Sequence, residues 1–280
     1  MKTSSESHHH IGTFIGILCI GAFSGTFASG GGPLGVYLLQ TRRFGAYYFK
    51  AATALSLSIL TWVAAAGLLT RLLMPQHFGD LHWDLFLLML GPALFGVWFG
   101  ETLSSRMSNE GGKRAFAVVL VFVAVYMIWK TRPGVASPAM AASMSAPLSL
   151  SLLGSISLFG GAGSRLFGMG GGVWFIPFLI LWEGLSPNEA MATSLAVSVP
   201  MMGLGAYLGG RKLFDGSVML PAVLGGVLGA TVSLSIATTM LSVLLALVLI
   251  YCAVYILVKS VRAKPIVLAM PGALPFWQRR

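Results

Sequence analysis

The chain has 280 residues, of which 56% are hydrophobic and 9% are charged, and its mean hydropathy is +0.84. Soluble domains carry about 25% charged residues, so this composition excludes a sizeable water-soluble domain and indicates a protein embedded in a membrane. The net charge of +10 does not indicate nucleic-acid binding, because the basic residues lie in short loops and tails rather than on a face with interleaved aromatic residues.

Eight apolar segments follow one another, at residues 11–40, 46–72, 83–105, 114–130, 147–182, 188–208, 217–238 and 241–258. Six of them suit a single membrane crossing, which needs about 17–25 residues. The segments 11–40 and 147–182 are too long for one simple crossing, and each contains a glycine triplet. The first segment has the features of a signal peptide, but a similar stretch recurs near residue 151. We therefore expect it to stay as structure, preceded by a tail at residues 1–10.

The two long segments correspond to each other. Gly30, Gly31 and Gly32 in SGGGPLGVYLL align with Gly170, Gly171 and Gly172 in MGGGVWFIPFL at an offset of 140 residues, and the same offset aligns AATALSLSI (51–59) with MATSLAVSV (191–199). Further matches keep this order: LGPALFG (90–96) with LGGVLG (224–229), and AVYMIWK (124–130) with AVYILVK (253–259). The sequence predicts two copies of one unit, at residues 11–130 and 147–260, with a linker at 131–146 and a basic cytoplasmic tail at 261–280.

The positions of the basic residues distinguish two topologies. If each long segment crosses the membrane once, the halves are parallel; if each breaks at its glycines and leaves on the side it entered, the halves are inverted. The inverted arrangement places 14 of the 18 Lys and Arg residues inside and only Arg71, Lys130 and Arg132 outside. Because basic residues favour the cytoplasmic side, we prefer inverted halves, each with a glycine-broken hairpin and three transmembrane helices, and cytoplasmic termini.

Each glycine triplet has two interpretations. Three glycines destabilise a helix, and a helix that begins after the break presents free N–H groups and a positive dipole end to an anion. Pro33 suits such a helix start. Alternatively, glycine allows close helix packing, and Gly21–Gly25 and Gly168–Gly172 have the spacing for it. For the aligned triplets we favour a break that lines a substrate-binding cavity.

Arg165 is the one basic residue in the middle of an apolar segment. A charge at that depth is expensive and is usually functional or paired, and a guanidinium group suits an oxoanion. It is therefore a candidate anion ligand, the alternative being an interfacial arginine whose head group reaches water. Glu101 is a candidate carboxylate for proton coupling, with Arg106 as its expected partner.

Hydroxyl groups follow each break on the next helix. Thr53 and Ser56 in the first half, and Thr193 and Ser194 in the second, are candidate substrate ligands. The alternative for each is a hydrogen bond to a neighbouring helix or to the preceding turn. No group of catalytic residues is recognised, and the two cysteines do not have the spacing of a metal or redox site. We therefore expect no cofactor and no enzymatic activity.

The second half carries a series of motifs: GMGGGVWFIPFLILW, AMATSLAVSV, GAYLGG, RKLFD and LGGVLGA. This series resembles the TauE/SafE sulfite-exporter family, over nearly the whole chain and more closely in the second half. The first half departs from the pattern, with Pro33 after its glycines and AATALS in place of ATSL.

The resemblance implies a transporter of the bacterial inner membrane that moves a small sulfur-containing anion such as sulfite, thiosulfate or an organosulfonate. Its expected partners are this anion and membrane lipids. A channel or carrier for another small anion, and an intramembrane enzyme, are the alternatives. The enzyme alternative is poor, because all five histidines lie in loops or in the tail.

Overall fold

The computed structural model describes residues 4–26, 32–40, 49–74, 81–130, 146–210 and 216–235, together with residues 247, 250, 251 and 254. The helices in this part of the chain are α1 (Ser4–Thr26), α2 (Gly32–Leu39), α3 (Phe49–Leu73), α4 (Trp83–Arg106), α5 (Asn109–Lys130), α6 (Ala146–Phe167), α7 (Gly172–Leu181), α8 (Pro187–Leu208) and α9 (Gly216–Ser235). No strand occurs within the described ranges, so the predicted all-α class is confirmed. Helix α1 begins inside the predicted tail, and most of the segment 241–258 lies outside the described residues.

Among the described residues, four helical stretches are long and apolar enough to cross a membrane: Phe49–Leu73, Trp83–Arg106, Ser149–Phe167 and Asn188–Leu208. Two shorter apolar helical stretches cover Phe14–Thr26 and Val218–Ser233. Helix α4 exposes large apolar side chains such as Trp83, Leu87, Phe95 and Trp98. Such a surface suits lipid and not water, which agrees with the predicted polytopic membrane protein.

Both long apolar segments are divided into two helices. Helices α2 and α7 begin at Gly32 and Gly172, which are the aligned last glycines of the two triplets. In the second segment, residues 168–171 separate α6 from α7, and Gly168 has a φ of +66° that glycine adopts without strain. The predicted break is therefore confirmed there. In the first segment, residues 27–31, including Gly30 and Gly31, lie outside the described residues.

Helices α6 and α7 form an antiparallel hairpin. Gly160 of α6 lies against the ring of Phe175, and Gly163 lies against the indole of Trp174. Any side chain at either glycine would overlap these rings, so the missing Cβ atoms allow α7 to fold back along α6. The hairpin returns the chain toward the end of the molecule from which α6 starts.

The first arm of each hairpin packs on a helix of the opposite half. Gly21 of α1 lies against Ala222 and Gly225 of α9, while in α4 and α6 the backbone of Gly100 lies against that of Ala162. These are the two most extensive helix–helix interfaces in the described chain. Because glycine lets backbones approach closely, the packing interpretation holds for these glycines.

Contacts along the helices also establish their directions. Helix α3 is antiparallel to α8, since Ala54 lies by Gly209 whereas Gly67 lies by Leu195. It is parallel to α9, because Gly67 also lies by Ala230 and Arg71, one turn further on, reaches Ser233. By the same kind of contact α1 is parallel to α9, and α4 and α8 are parallel to α6.

Two hydrophobic clusters fill the interior, and each contains helices of both halves. The first joins α1, α2, α3 and α5 to the break region through Phe167, Met169 and Val173. The second joins α3 to α4, α6, α7 and α8. Helix α3 belongs to both, so it lies at the centre of the molecule.

The turn between α7 and α8 carries a capping box. The Ser186 hydroxyl accepts from the N–H of Glu189, whose carboxylate accepts from the N–H of Ser186 at 2.7 Å. In the same turn, burial raises the pKa of the Glu183 carboxyl above its usual range, and the negative charge of Asp84 adds to this effect.

Candidate functional site

The start of α2 lies against the connection between α6 and α7. A Cβ atom placed on Gly32, at the start of α2, would be 2.7 Å from both the carbonyl oxygen of Gly168 and the Cα of Met169. The start of α2 and the α6–α7 connection are therefore in backbone contact, whereas Gly30 and Gly31 of the first triplet lie outside the described residues.

Helix α3 holds the second break in place. The Ser56 hydroxyl donates a hydrogen bond to the carbonyl oxygen of Gly168 at 2.9 Å, and both groups are buried. A Cβ atom on Gly168 would be 2.7 Å from the Cα of Thr53. Ser56, predicted as a substrate ligand, thus satisfies a carbonyl that the end of α6 would leave without a partner.

Helix α8 places further hydroxyl groups beside the triplet. Gly170, Gly171 and Gly172 are all buried, and the Ser198 hydroxyl lies against Gly171. The hydroxyl groups of Ser198 and Ser194, one turn apart on α8, are buried and have no hydrogen-bond partner in the described chain. A buried hydroxyl without a hydrogen-bond partner destabilises the folded protein. A solute bound beside α8 would remove this cost by accepting a hydrogen bond from these groups.

The two threonines have local hydrogen-bond roles. Thr53 donates to the carbonyl oxygen of Lys50 at 2.8 Å, which is the alternative interpretation given above, a hydrogen bond to the preceding turn. The Thr193 hydroxyl accepts from the N–H of His82 at 3.2 Å, near the start of α4. The aligned threonines therefore do not converge on one point, since Thr53 lies near the break and Thr193 lies toward the opposite end of α8.

Arg165 is buried, with 4% of its surface exposed, so the alternative of an arginine that reaches water is wrong. It forms an ion pair with Glu101 of α4 through Nη2. The expected pairing of Glu101 with Arg106 is also wrong, because Arg106 is exposed and α6 brings Arg165 to the same level of α4. The sequence contains no signal for this pairing, since it depends on the parallel packing of α4 on α6.

The Arg165 side chain lies where α3, α4, α6 and α8 meet. A Cβ atom on Gly205 would be 3.6 Å from its Cδ, and one on Gly209 would be 3.3 Å from its Nη2. Nε and Nη1 of Arg165 are buried and have no hydrogen-bond partner in the described chain. The guanidinium thus uses one nitrogen for Glu101 and keeps two buried donors unused.

Contacts connect this ion pair to the break. Thr53 contacts Gly168, and the adjacent Ala54 lies against Gly209, where the guanidinium packs. The charged pair and the α6–α7 break therefore border one region between α3, α6 and α8.

Sequence reasoning misses a second buried arginine. The apolar segments place Arg71 at a loop, but it is 1% exposed. Its Nη2 donates to the Ser233 hydroxyl at 3.2 Å and its Nη1 to the side chain of Asn188 at 3.4 Å. It joins α3 to α8 and α9 at the end opposite Arg165. Its place near the end of an apolar run is the only signal in the sequence, and that signal equally indicates a loop residue.

A small surface pocket opens at the end of the molecule where α3 begins. Phe49 and Lys50 of α3, Ser104 of α4 and Leu166 of α6 are among its lining residues. Ser104 and Leu166 follow Glu101 and Arg165 on their helices, so the pocket ends close to the ion pair.

The comparisons with known proteins agree with this architecture. The family model of the sulfite exporter TauE/SafE matches residues 2–127 and 153–277, and the interval between the two matches contains the predicted linker. No curated protein and no solved structure matches the chain. Since the family model covers nearly the whole sequence, the chain belongs to the sulfite exporter TauE/SafE family.

Proposed function

We propose that this member of a membrane transporter family is a secondary transporter that moves a small sulfur-containing anion by alternating access. Sulfite, thiosulfate and organosulfonates are the candidate substrates, and the bacterial inner membrane is the proposed location. The observation that carries the proposal is the buried guanidinium of Arg165, which has two unused donors beside a helix break.

An oxoanion suits these unused donors. A guanidinium binds two oxygens of a sulfonate or sulfite group in parallel along one of its edges, either Nε with Nη2 or Nη1 with Nη2. Each unused donor of Arg165 therefore forms such an edge only together with Nη2, the nitrogen that contacts Glu101. A buried donor without a partner costs about 1–3 kcal/mol, and binding of an anion removes this cost. The start of α7 adds backbone N–H groups and the positive end of a helix dipole.

Buried hydroxyl groups beside the glycine triplet and next to Arg165 in the sequence are further candidate donors. Ser194 and Ser198 of α8 have buried hydroxyls without a partner in the described residues, and so has Ser164, which precedes Arg165. Ser24 of α1, which aligns with Ser164 across the repeat, shares this property. Hydroxyl donors stabilise an anion without adding a second buried charge. We therefore propose a substrate path along α8: Arg165 binds the anion near Gly209, and Gly170, Gly171, Gly172, Ser198 and Ser194 border a second position about three to four helical turns away. Ser56 and Thr53 support the break. The first triplet remains a proposed counterpart.

We also propose that the halves are inverted repeats. The helix directions support this: α1, α3 and α9 run one way, and α6, α8 and α4, which are their repeat counterparts, run the other way. Such repeats place a substrate site at their interface, and rocking about this site gives access from alternate sides. The basic residues place the loop between α4 and α5, and both termini, in the cytoplasm.

Counterflow in proteoliposomes tests transport. Proteoliposomes that contain the purified protein are loaded with unlabelled thiosulfate, sulfite, taurine or sulfate, and the uptake of the same solute in labelled form is followed. A carrier gives saturable uptake and counterflow with at least one sulfur anion. Absence of counterflow with every anion would contradict the proposal, and uptake without saturation would indicate a channel.

The role of Arg165 needs a variant that leaves no unpaired buried charge. The double variant Glu101→Gln/Arg165→Gln removes both charges of the ion pair and should lose at least about 90% of the counterflow. Arg106→Gln, at an exposed position between the pocket-lining residues Ser104 and Met107, is the matched control and should retain it. Full activity of the double variant would exclude Arg165 as a ligand.

Labelling of engineered cysteines tests the topology. In a background without Cys19 and Cys252, the exposed Ser108 in the α4–α5 loop is replaced by cysteine. Reaction with a membrane-impermeant maleimide in inside-out vesicles, but not in intact spheroplasts, is expected. The opposite pattern would reject the inverted arrangement with cytoplasmic termini.

A further inference from the structure

We propose that Glu101 is an internal, protonatable competitor for Arg165, so that the anion binds together with one proton. This inference rests on the proposed function and specifies its coupling ion. It starts from the ion pair, whose side chains are 5% and 13% exposed for Arg165 and Glu101.

The buried pair is electrically neutral. When an anion binds Arg165 while Glu101 stays ionised, the region gains at least one uncompensated negative charge in a medium of low dielectric constant. When Glu101 takes up a proton, its charge disappears: the pair of Arg165 with a singly charged anion is then neutral again, and a doubly charged anion leaves one negative charge instead of two. The proton goes to a carboxylate oxygen of Glu101, whose ion pair with Nη2 is released, and the resulting O–H is available to donate to an oxygen of the anion.

The other charged groups near Glu101 do not replace this proton. Lys50 of α3 interacts electrostatically with both members of the pair, and its Nζ donates to the carbonyl oxygen of Ser105 at 3.5 Å. It lies in the surface pocket rather than beside the guanidinium. Helix α8 places Gly205 and Gly209 against Arg165, and its Tyr207 is exposed. Arg106, on the last turn of α4 itself, is also exposed.

We place the entrance for the proton and the anion at the surface pocket. Its lining includes Lys50, Ser104 and Leu166, so a positive charge lies at the opening and the ion pair lies about one helical turn inside it. An anion attracted to Lys50 would meet Arg165 with its Nη2, which belongs to both binding edges of the guanidinium, already occupied by Glu101. It would replace the carboxylate only when that carboxylate is protonated.

Binding of the anion and of the proton are then linked. If one proton is taken up with each anion, the affinity for the anion falls as the pH rises, by up to about tenfold per pH unit. The reciprocal effect is that anion binding draws a proton from solution. Both effects disappear when the carboxyl group is replaced by an amide, which keeps the shape and is always neutral.

The test measures the affinity of the purified protein for thiosulfate, and in parallel for methanesulfonate, across the acidic to alkaline range. Both anions keep a constant charge over this range. The wild-type protein should bind more weakly at each higher pH. Glu101→Gln should bind with an affinity that does not change with pH and that exceeds the wild-type affinity at alkaline pH by about tenfold or more. Glu110→Gln, at an exposed carboxylate on the first turn of α5, is the control and should keep the wild-type slope.

A second measurement does not depend on any variant. Thiosulfate is added to the wild-type protein in weakly buffered solution and the pH is recorded, with about one proton expected to disappear per anion bound. No proton uptake, or an unchanged slope in Glu101→Gln, overturns the inference while leaving the transporter proposal intact. If the wild-type protein binds neither anion at any pH and gives no counterflow, the proposed function itself fails.

Discussion

Gly168→Ala is the substitution whose cost can be derived most directly from the structure. Gly168 ends α6 with a φ of +66°, a conformation that costs an L-residue about 1–2 kcal/mol. The new Cβ would also lie 2.7 Å from the Cα of Thr53 and 2.8 Å from a methyl group of Val36. Overpacking of this kind costs about 1–3 kcal/mol. We therefore expect a loss of about 2–5 kcal/mol of folding free energy.

Two other glycines separate these contributions. Gly210 has a φ of +74°, and a Cβ atom added there would meet nothing within 4 Å, so Gly210→Ala should cost only the backbone part, about 1–2 kcal/mol. Gly154 is helical and its Cβ would also meet nothing within 4 Å. Gly154→Ala should therefore stabilise the protein by up to about 1 kcal/mol, since alanine is the better helix former.

The assay is reversible unfolding of the purified protein in mixed micelles with an increasing fraction of SDS, followed by tryptophan fluorescence. Gly168→Ala should be the least stable of the three variants and Gly154→Ala the most stable. If Gly168→Ala and Gly210→Ala were equally stable, the contacts of the α6–α7 break with α2 and α3 would carry no energy, and the close packing of the break on these helices would be refuted.

Three further predictions concern single contacts. Ser56→Ala removes the hydroxyl that donates to the carbonyl of Gly168 and should cost about 1–3 kcal/mol in the same unfolding assay, because a buried acceptor is left without a partner. Gly229→Ala places a Cβ 2.6 Å from the backbone nitrogen of Thr26 and should destabilise the α1–α9 interface, seen as a lower Tm; an unchanged Tm would contradict the close approach. Glu183→Gln should raise the Tm at neutral pH but not in acid. Because the pKa of this carboxyl is raised in the folded state, its ionised form destabilises the folded protein above that pKa, and this cost is absent below the pKa of the unfolded state. The check is the difference in Tm between the variant and the wild type, measured against pH.

The main features of the fold follow from the composition of the chain and from the positions of its glycine triplets. Apolar runs of membrane-spanning length predict helices because lipid leaves no other way to satisfy the backbone. The aligned glycine triplets predict where the long segments divide, and α2 and α7 begin at Gly32 and Gly172. These are local properties of the chain, which is why they can be inferred without a structure.

The pairing of side chains across helices cannot be inferred in this way. Nearness in sequence predicts that Glu101 pairs with Arg106, whereas its partner Arg165 is on another helix. The end of an apolar run predicts a loop position for Arg71, yet this residue is buried between α3, α8 and α9. Both depend on which helices are neighbours, and neither helix periodicity nor charge counting contains that information.

The crossed packing of the halves restricts how such a protein can move. Because α1 packs on α9 and α6 packs on α4, the helix that precedes the glycine triplet in each half is held by the other half, and a rocking motion cannot simply separate residues 11–130 from 147–260. The seam between α3 and α8 is a better candidate. It contains small residues such as Ala54, Gly205 and Gly209, which permit sliding, with Arg165 at one end and Arg71 at the other. In a transporter built this way, release of the guanidinium of Arg165 from Glu101 would loosen the contact between α6 and α4 at only one end of the α3–α8 seam. Protonation of this one carboxylate would then be linked to access of the substrate from one side of the membrane.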